Sequence, residues 1–411
     1  MESRFFSEEK VNTGRQPELD FLKALCVVGM IITHVLLDLG DKVMPTVIDD
    51  YLTEFFGAAT FMICMGIGMG YMRNQTPAGY MKRGFGLLTI GQFLNILRNC
   101  IPNLIAYWIT GGQFFIANSL LILQSDILSF AGLAFFLMAF FKKLKLKESV
   151  ILALGVVLNL AVLILWNVMP LSTETLVPAV PENYLVSQLL GYFIITKAEA
   201  YFPLFCYFIF VAFGYFLGAW YPRIKDKDGL ANWIMLICFP LTLAYYLLRF
   251  LVDMPFLPEL GSDLQYNMKP TPDAIINCVF TLGILALLYK IVKAMKGKVP
   301  KAVSHFSQYI NNYYCVHYMF VLPVQTILIA VTGELLPGKV IPILYSLFAV
   351  LMSYIIVTVN EKYLHIHFAT LKGKKMAVFV AFVWIATIAI TAYAYPRIEE
   401  FANIWNEYLL P

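Results

Sequence analysis

Residues 19–39 read LDFLKALCVVGMIITHVLLDL. As a helix this stretch is about 30 Å long, the thickness of a bilayer's hydrocarbon core. Within it stand Asp20, Lys23, His34 and Asp38. At about 100° per residue, with Asp20 at zero, Lys23 falls near 300°, His34 near 320° and Asp38 back near zero. The four therefore share one face, with Val27 and Ile31 between them, and the opposite face is apolar. An ionisable group inside a membrane span is costly unless it faces a partner or a cavity, so such a face is functional by default. Lys23 and His34 are about 16 Å apart along the axis. A cation thus stands toward one membrane surface and an imidazole toward the other, an arrangement that suits a reaction across the bilayer.

The rest of the 411-residue chain agrees with this reading. Hydrophobic residues make up 60% and charged residues only 14%, which excludes a soluble globular protein. The mean hydropathy is +0.73. The expected fold is an all-α polytopic membrane protein of about eleven helices, a ten-helix core plus one. The spans are expected near 19–39, 51–72, 84–108, 114–141, 149–168, 201–220, 232–252, 273–292, 305–331, 340–359 and 376–395. The N-terminal segment, MESRFFSEEKVNTGRQPE, is polar for too long to be a signal peptide, so the first span is expected to be retained. The division is then a cytoplasmic segment 1–18, a transmembrane domain 19–395 and an extracytoplasmic tail 396–411.

Lys and Arg set the orientation. With the N-terminus inside, cytoplasmic segments hold 22 of them and outer segments five: Lys42, Lys197, Lys269, Lys339 and Arg397. The outer segments 169–200 and 253–272 are the largest loops, and a short amphipathic helix is expected at 184–195. Recognition on the outer side would fall there. The inner loops are short and basic, as topology alone requires, and would also suit a polyanionic ligand or acidic headgroups. The seven Cys lie mostly in apolar runs with no Cys-x-x-Cys pair, so neither a disulfide nor a zinc framework is expected. His365-x-His367 lacks carboxylate partners, and no metal is expected. Nothing suggests nucleic acid as a partner, and there is no internal repeat.

Further ionisable residues fall within the spans. Glu54 is near the outer end of the second, which continues FMICMGIGMGYM, with glycines suited to close helix packing. The third carries Asn95, Arg98 and Asn99 before Pro102, and the fourth carries Gln124, Ser125 and Asp126 near mid-depth. Arg98 and Asp126 either pair with each other or hold substrate. In the ninth, Tyr309, Tyr313 and His317 form one stripe at i, i+4 and i+8. A buried His is more often a hydrogen-bonded core residue than a catalyst, but a domain holding both His34 and His317 has two. Either imidazole can serve as general base. Asp38, one turn beyond His34, is expected to fix its tautomer. Arg98 could stabilise an oxyanion, and Lys23 could meet a phosphate-bearing donor. No glycine-rich phosphate loop and no Gly-x-Ser-x-Gly elbow is present.

These residues carry a family resemblance. Lys23, ten intervening residues and His34 resemble the opening of the acyltransferase-3 family of integral membrane acyltransferases. Residues 310–317, INNYYCVH, resemble its later span, and 201–218, YFPLFCYFIFVAFGYFLG, its aromatic span. The second and fourth spans look closer to the related heparan-α-glucosaminide N-acetyltransferase group. The resemblance implies transfer of an acyl group, acetyl in the first instance, from cytoplasmic acyl-coenzyme A to a hydroxyl or amine of an extracytoplasmic sugar or glycan at the plasma or inner membrane. It gives His34 the essential-His role, as general base or acyl relay, and Lys23 the donor side. The family's paired-arginine motif is replaced here by RNQTPAGYMKR, in which Lys82 and Arg83 are the nearest equivalents for donor contacts. Two other readings of the residues stay open. One is a transporter or exporter with His, Asp and Arg as a proton or substrate relay; the other is a sensor or structural membrane protein in which they merely pair.

Overall fold

The computed structural model describes residues 4–40, 57–72, 75–168, 184–194, 201–259, 265, 268–365 and 373–397. Among them every regular element is helical, apart from two isolated bridges. Among the described residues eight helices are long and apolar enough to cross a membrane, so the chain is an all-α polytopic membrane protein. Glu54, His367, residues 169–183 and 195–200, and all of the C-terminal tail beyond Arg397 lie outside the described residues.

The helices in chain order are α1 Pro17–Leu39, α2 Ala58–Gly70, α3 77–110, α4 Gln113–Leu123, α5 Ile127–Lys143, α6 Glu148–Val168 and α7 Tyr184–Gly191. There follow α8 Leu204–Trp220, α9 Lys227–Leu251, α10 Thr271–Ala294, α11 Lys301–Gln308, α12 Ile310–Thr332, α13 Val340–Val359 and α14 Gly373–Ala394. Local chemistry places many of the ends. Pro17 and Pro77 enter at the first helical turn, where their missing N–H costs nothing. The side chains of Thr76 and Asp226 accept from the backbone N–H groups of Gly79 and Gly229, at 3.1 and 2.8 Å. Gly111 and Gly333, both left-handed, close α3 and α12.

Two of the expected spans are not single helices. The stretch expected at 114–141 breaks at Gln124–Asp126, where the backbone is extended. The one expected at 305–331 is divided at Tyr309 between α11 and α12, and α12 itself passes through a 3₁₀ turn at Tyr318–Phe320. Apolar composition conceals both breaks because the hydropathy continues through them. Of the span expected at 51–72, residues 57–72 are described, and Ala58–Gly70 of them are helical.

α2 packs along α8 with almost no side chain between them. A Cβ on Gly66 would lie 2.3 Å from the Val211 carbonyl oxygen, and one on Gly214 only 2.1 Å from that of Ile63. The glycines of FMICMGIGMGYM thus meet small residues of the aromatic span. α3 runs antiparallel to α5, α8 also lies on α6, and α1 is central, touching α2, α10, α11, α12 and α13.

End contacts join the segments that the charge count assigns to a common side. The backbone N–H groups of Ser7, Val11 and Asn12 donate to carbonyls of Pro222 and Arg223, each at 2.8 Å. Lys142 Nζ donates to Gln75 at 3.2 Å, and Lys290 Nζ to Asp228 at 2.6 Å. At the other end Leu336 N–H donates to the Leu39 carbonyl at 2.9 Å, and the Trp108 indole to Tyr393 at 3.0 Å.

Candidate functional site

The break between α4 and α5 builds one wall of the site. A broken helix frees carbonyls and amides that must be satisfied inside the membrane. α3 supplies the partners. Gln92 Nε2 donates to the Ile122 carbonyl at 2.7 Å, and Asn95 Nδ2 to the carbonyls of Ile122 and Gln124 at 3.2 and 3.1 Å. Asn99 reaches the Leu121 carbonyl at 3.4 Å. On the other side of the break, Asp126 Oδ1 accepts from the amides of Leu128 and Ser129 at 2.9 and 3.1 Å, capping α5.

Asp126 Oδ2 then accepts from Arg98 Nη2 at 3.0 Å and from the Tyr314 hydroxyl at 3.2 Å. Both carboxylate oxygens are thus occupied, and the residue is 3% exposed. Arg98 lies in a π turn, Ile96–Cys100. Pro102 follows it; its ring conflicts with the carbonyl four residues back, that of Arg98, and the wider turn relieves this. The guanidinium also donates to Asn95 Oδ1 through Nε and Nη2, at 3.1 and 2.7 Å. It stacks over the Tyr318 ring with Cζ 4.1 Å from the centroid. Its Nη1 is buried and has no hydrogen-bond partner.

The second wall is α12. His34 Nδ1 and His317 Nε2 are 2.8 Å apart, although 283 residues separate them in the chain. Both rings lie against Tyr318, at centroid distances of 4.7 and 4.2 Å. The hydrogen bonds fix the tautomers. His317 Nδ1 is 3.1 Å from the Tyr313 carbonyl, which can only accept, so Nδ1 carries the hydrogen. In a neutral pair His317 Nε2 must then accept, and His34 Nδ1 donates to it. His34 Nε2 keeps its lone pair, with the Tyr318 hydroxyl donating to it at 3.3 Å. His317 is fully buried and His34 half-buried.

Four of the residues singled out from sequence therefore meet in one cluster: His34, Arg98, Asp126 and His317. The alternative that Arg98 pairs with Asp126 is the one observed. Asp38 stands differently from expectation. Both ring nitrogens of His34 face His317 and Tyr318, so His317 sets the tautomer, while the Asp38 backbone carbonyl accepts from Gln325 at 2.7 Å. Lys23 is half-buried on α1 and carries no hydrogen bond or ion pair to any described residue. Lys82 and Arg83 are exposed early in α3, where Arg83 stacks on Phe135 at 5.4 Å. Fifteen residues along α3 separate Arg83 from Arg98, about 22 Å. The cluster and these basic residues accordingly occupy different depths. Asp20, on the same face of α1, is bound to Arg15 and Ser307.

Sequence reasoning passed over Tyr314 and Tyr318. Their signal was the i, i+4 spacing that places them beside His317. It also passed over a second buried pair: Arg249 Nε lies 3.8 Å from Asp273 Oδ1, with side chains 4% and 0% exposed. There Asp273 also accepts from Gln265 at 2.9 Å and from the Tyr245 hydroxyl, and Arg249 Nη2 donates to the Pro258 carbonyl at 2.8 Å. No histidine takes part in these contacts.

The model of the heparan-alpha-glucosaminide N-acetyltransferase catalytic family matches residues 15–249, more than half of the chain. The chain belongs to that family, a class of membrane acyltransferases. The match takes in His34, Arg98 and Asp126 and ends before His317. No curated protein and no solved structure matches the chain.

Proposed function

We propose that this protein moves an acyl group, acetyl in the first instance, from cytoplasmic acyl-coenzyme A to a hydroxyl or amine of a sugar or glycan on the far side of a cell membrane. The observation that carries the reading is the ordered pair of histidines. A chain of hydrogen bonds in which the Tyr313 carbonyl only accepts leaves a basic nitrogen at His34 Nε2. The family's description, which names N-acetyl transfer to a glucosaminide, supports the acyl group and the class of acceptor.

The donor supplies a thioester carbonyl. His34 Nε2 takes the proton of the acceptor O–H or N–H as the acceptor bonds to that carbonyl carbon. The C–S bond breaks, and the thiolate leaves with the proton. Through Nδ1–H, His317 holds the His34 ring in place and shares the charge that forms on it. Arg98 is held from three directions, by Asp126, Asn95 and the Tyr318 ring, and its unpartnered Nη1 is the donor for the developing oxyanion. The residues fit a carbonyl-activating site on this ground. In this reading Asp126, with no oxygen to spare, positions Arg98 and touches no substrate. Lys23 lies on the path to the donor phosphates, with Lys82 and Arg83 at its entrance.

The test uses proteoliposomes with labelled acetyl-coenzyme A on one face and glucosamine on the other. Label should appear on the amino sugar with wild type and not with His34→Ala. Full transfer by His34→Ala removes the reading. Movement of sugar without acetyl-coenzyme A replaces it with a transporter.

A further inference from the structure

A cavity of about 410 Å³ lies at the end of the bundle that holds the N-terminal segment, away from the histidines. Phe216 and Trp220 of α8, Ala231 and Ile234 of α9, and Leu282 and Leu285 of α10 form its walls. Among the described residues its only charged lining residue is Lys227, whose ammonium is committed to Glu18 at 2.9 Å and to Gln16. An apolar space of this size between membrane helices takes a hydrocarbon in preference to water or a polar ligand.

Two features at its mouth identify the kind of hydrocarbon. Trp220 is 40% exposed, and α9 buries only 11% of its apolar window inside the bundle, so this side faces lipid. Arg223 stands between the lining residues Tyr221 and Ile224, with its guanidinium 5.6 Å from the Trp220 ring centroid. A permanent cation fixed against an indole at a membrane surface calls for an anionic oxygen. Lys225 follows two residues on, and the exposed Lys293 adds charge nearby, although it is partly matched by Asp228 at 2.8 Å. An apolar slot with a cation at its rim complements one molecule with both parts.

We propose that this cavity holds one fatty-acyl chain of an acidic bilayer phospholipid whose phosphodiester meets the Arg223 guanidinium at its rim. The chain then props the N-terminal segment in place. Phe6 lines the cavity and meets Trp220 edge-on at 5.7 Å, while the residues on either side of it are bonded to the 222–225 turn. The site is separate from acyl transfer and does not rest on that reading.

The experiment uses the full chain in nanodiscs. A trace of phosphatidylglycerol with a photoactivatable acyl chain is compared with phosphatidylcholine bearing the same chain, and labelled peptides are mapped. The expected result is labelling concentrated on 216–234 and 282–289, at least threefold stronger for phosphatidylglycerol. Ala231→Trp, which fills the slot, should reduce it fivefold or more, and Arg223→Gln should erase the headgroup preference while the chain still labels. If Ala231→Trp does not fold, Ala286→Phe fills the slot from the opposite wall. Labelling spread evenly over the lipid-facing helices, equal labelling by the two lipids, or displacement by palmitoyl-coenzyme A each overturns the proposal. None of these readouts involves transfer, so failure here leaves the acyltransferase reading intact, and the reverse also holds.

Discussion

Arg98–Asp126 and Arg249–Asp273 are both arginine–aspartate pairs withdrawn from solvent, and they are built for different ends. In the first, the carboxylate bonds directly to the guanidinium at 3.0 Å and spends its other oxygen on a helix cap, while the guanidinium keeps one free N–H beside two histidines. In the second, the charges stand 3.8 Å apart, Asp273 accepts from tyrosine and glutamine, Arg249 Nη2 donates to a backbone carbonyl, and Arg249 Nε is likewise buried without a hydrogen-bond partner, but with no histidine in these contacts. Burial and charge are common to both. What separates them is the company each keeps: a broken helix and two imidazoles in one case, and a helix start joined to a loop in the other. A buried ion pair by itself is weak evidence for either stability or chemistry.

The sharpest break of this comparison is at the imidazole that only the first pair adjoins. His34→Ala should lower acyl transfer by about 10²- to 10⁴-fold, the range of a lost general base. Its melting temperature should stay near that of wild type, since the side chain is half-buried; labelled acetyl transfer and thermal unfolding on one preparation check both. Next is Arg98→Met, which strands the Asp126 carboxylate. It should cost about 3–5 kcal/mol of stability and all measurable transfer. The double variant Arg98→Met/Asp126→Leu should recover much of the stability and none of the transfer, which separates the structural role of the pair from its chemical one.

The same operation on the second pair should read differently. Asp273→Asn should lower stability by about 1–3 kcal/mol through imperfect pairing of a buried site. Transfer per folded molecule should be unchanged. A loss of transfer as large as that of Arg98→Met would show that both pairs serve the reaction. The smallest expected effect is that of Tyr318→Phe. It removes the hydroxyl that lies 3.3 Å from His34 Nε2 and keeps the ring on which Arg98 stacks. A change of about 1 kcal/mol, near fivefold in rate, is expected. A hundredfold loss would make the hydroxyl a participant in proton transfer.

The sequence carried the membrane class, the course of most helices and the polar face of α1, because hydropathy and helical period are local properties. Four residues of the cluster could be named for the same reason: an ionisable group in an apolar run stands out wherever it goes. Their meeting could not be read, since His34 and His317 are brought together by packing across most of the chain. The break before α5 was concealed by the apolar residues on either side, yet an Asp directly preceding an apolar run is a helix-start signal, and Asp126 is used that way. Asp38 was assigned to His34 by position on one helix. The residue found at His34 Nδ1 is a histidine from another helix, which neighbours on a wheel cannot reveal.

Gln92, Asn95 and Asn99 also bear on how the chain enters the bilayer. α4 is only 11 residues long, about 16 Å, and cannot cross by itself. Its open carbonyls would face hydrocarbon with no donors of their own. The donors are on α3, which is made first. The expected consequence is that α3, α4 and α5 enter the bilayer as one unit, with the hydrogen bonds of the wall that holds Arg98 already made.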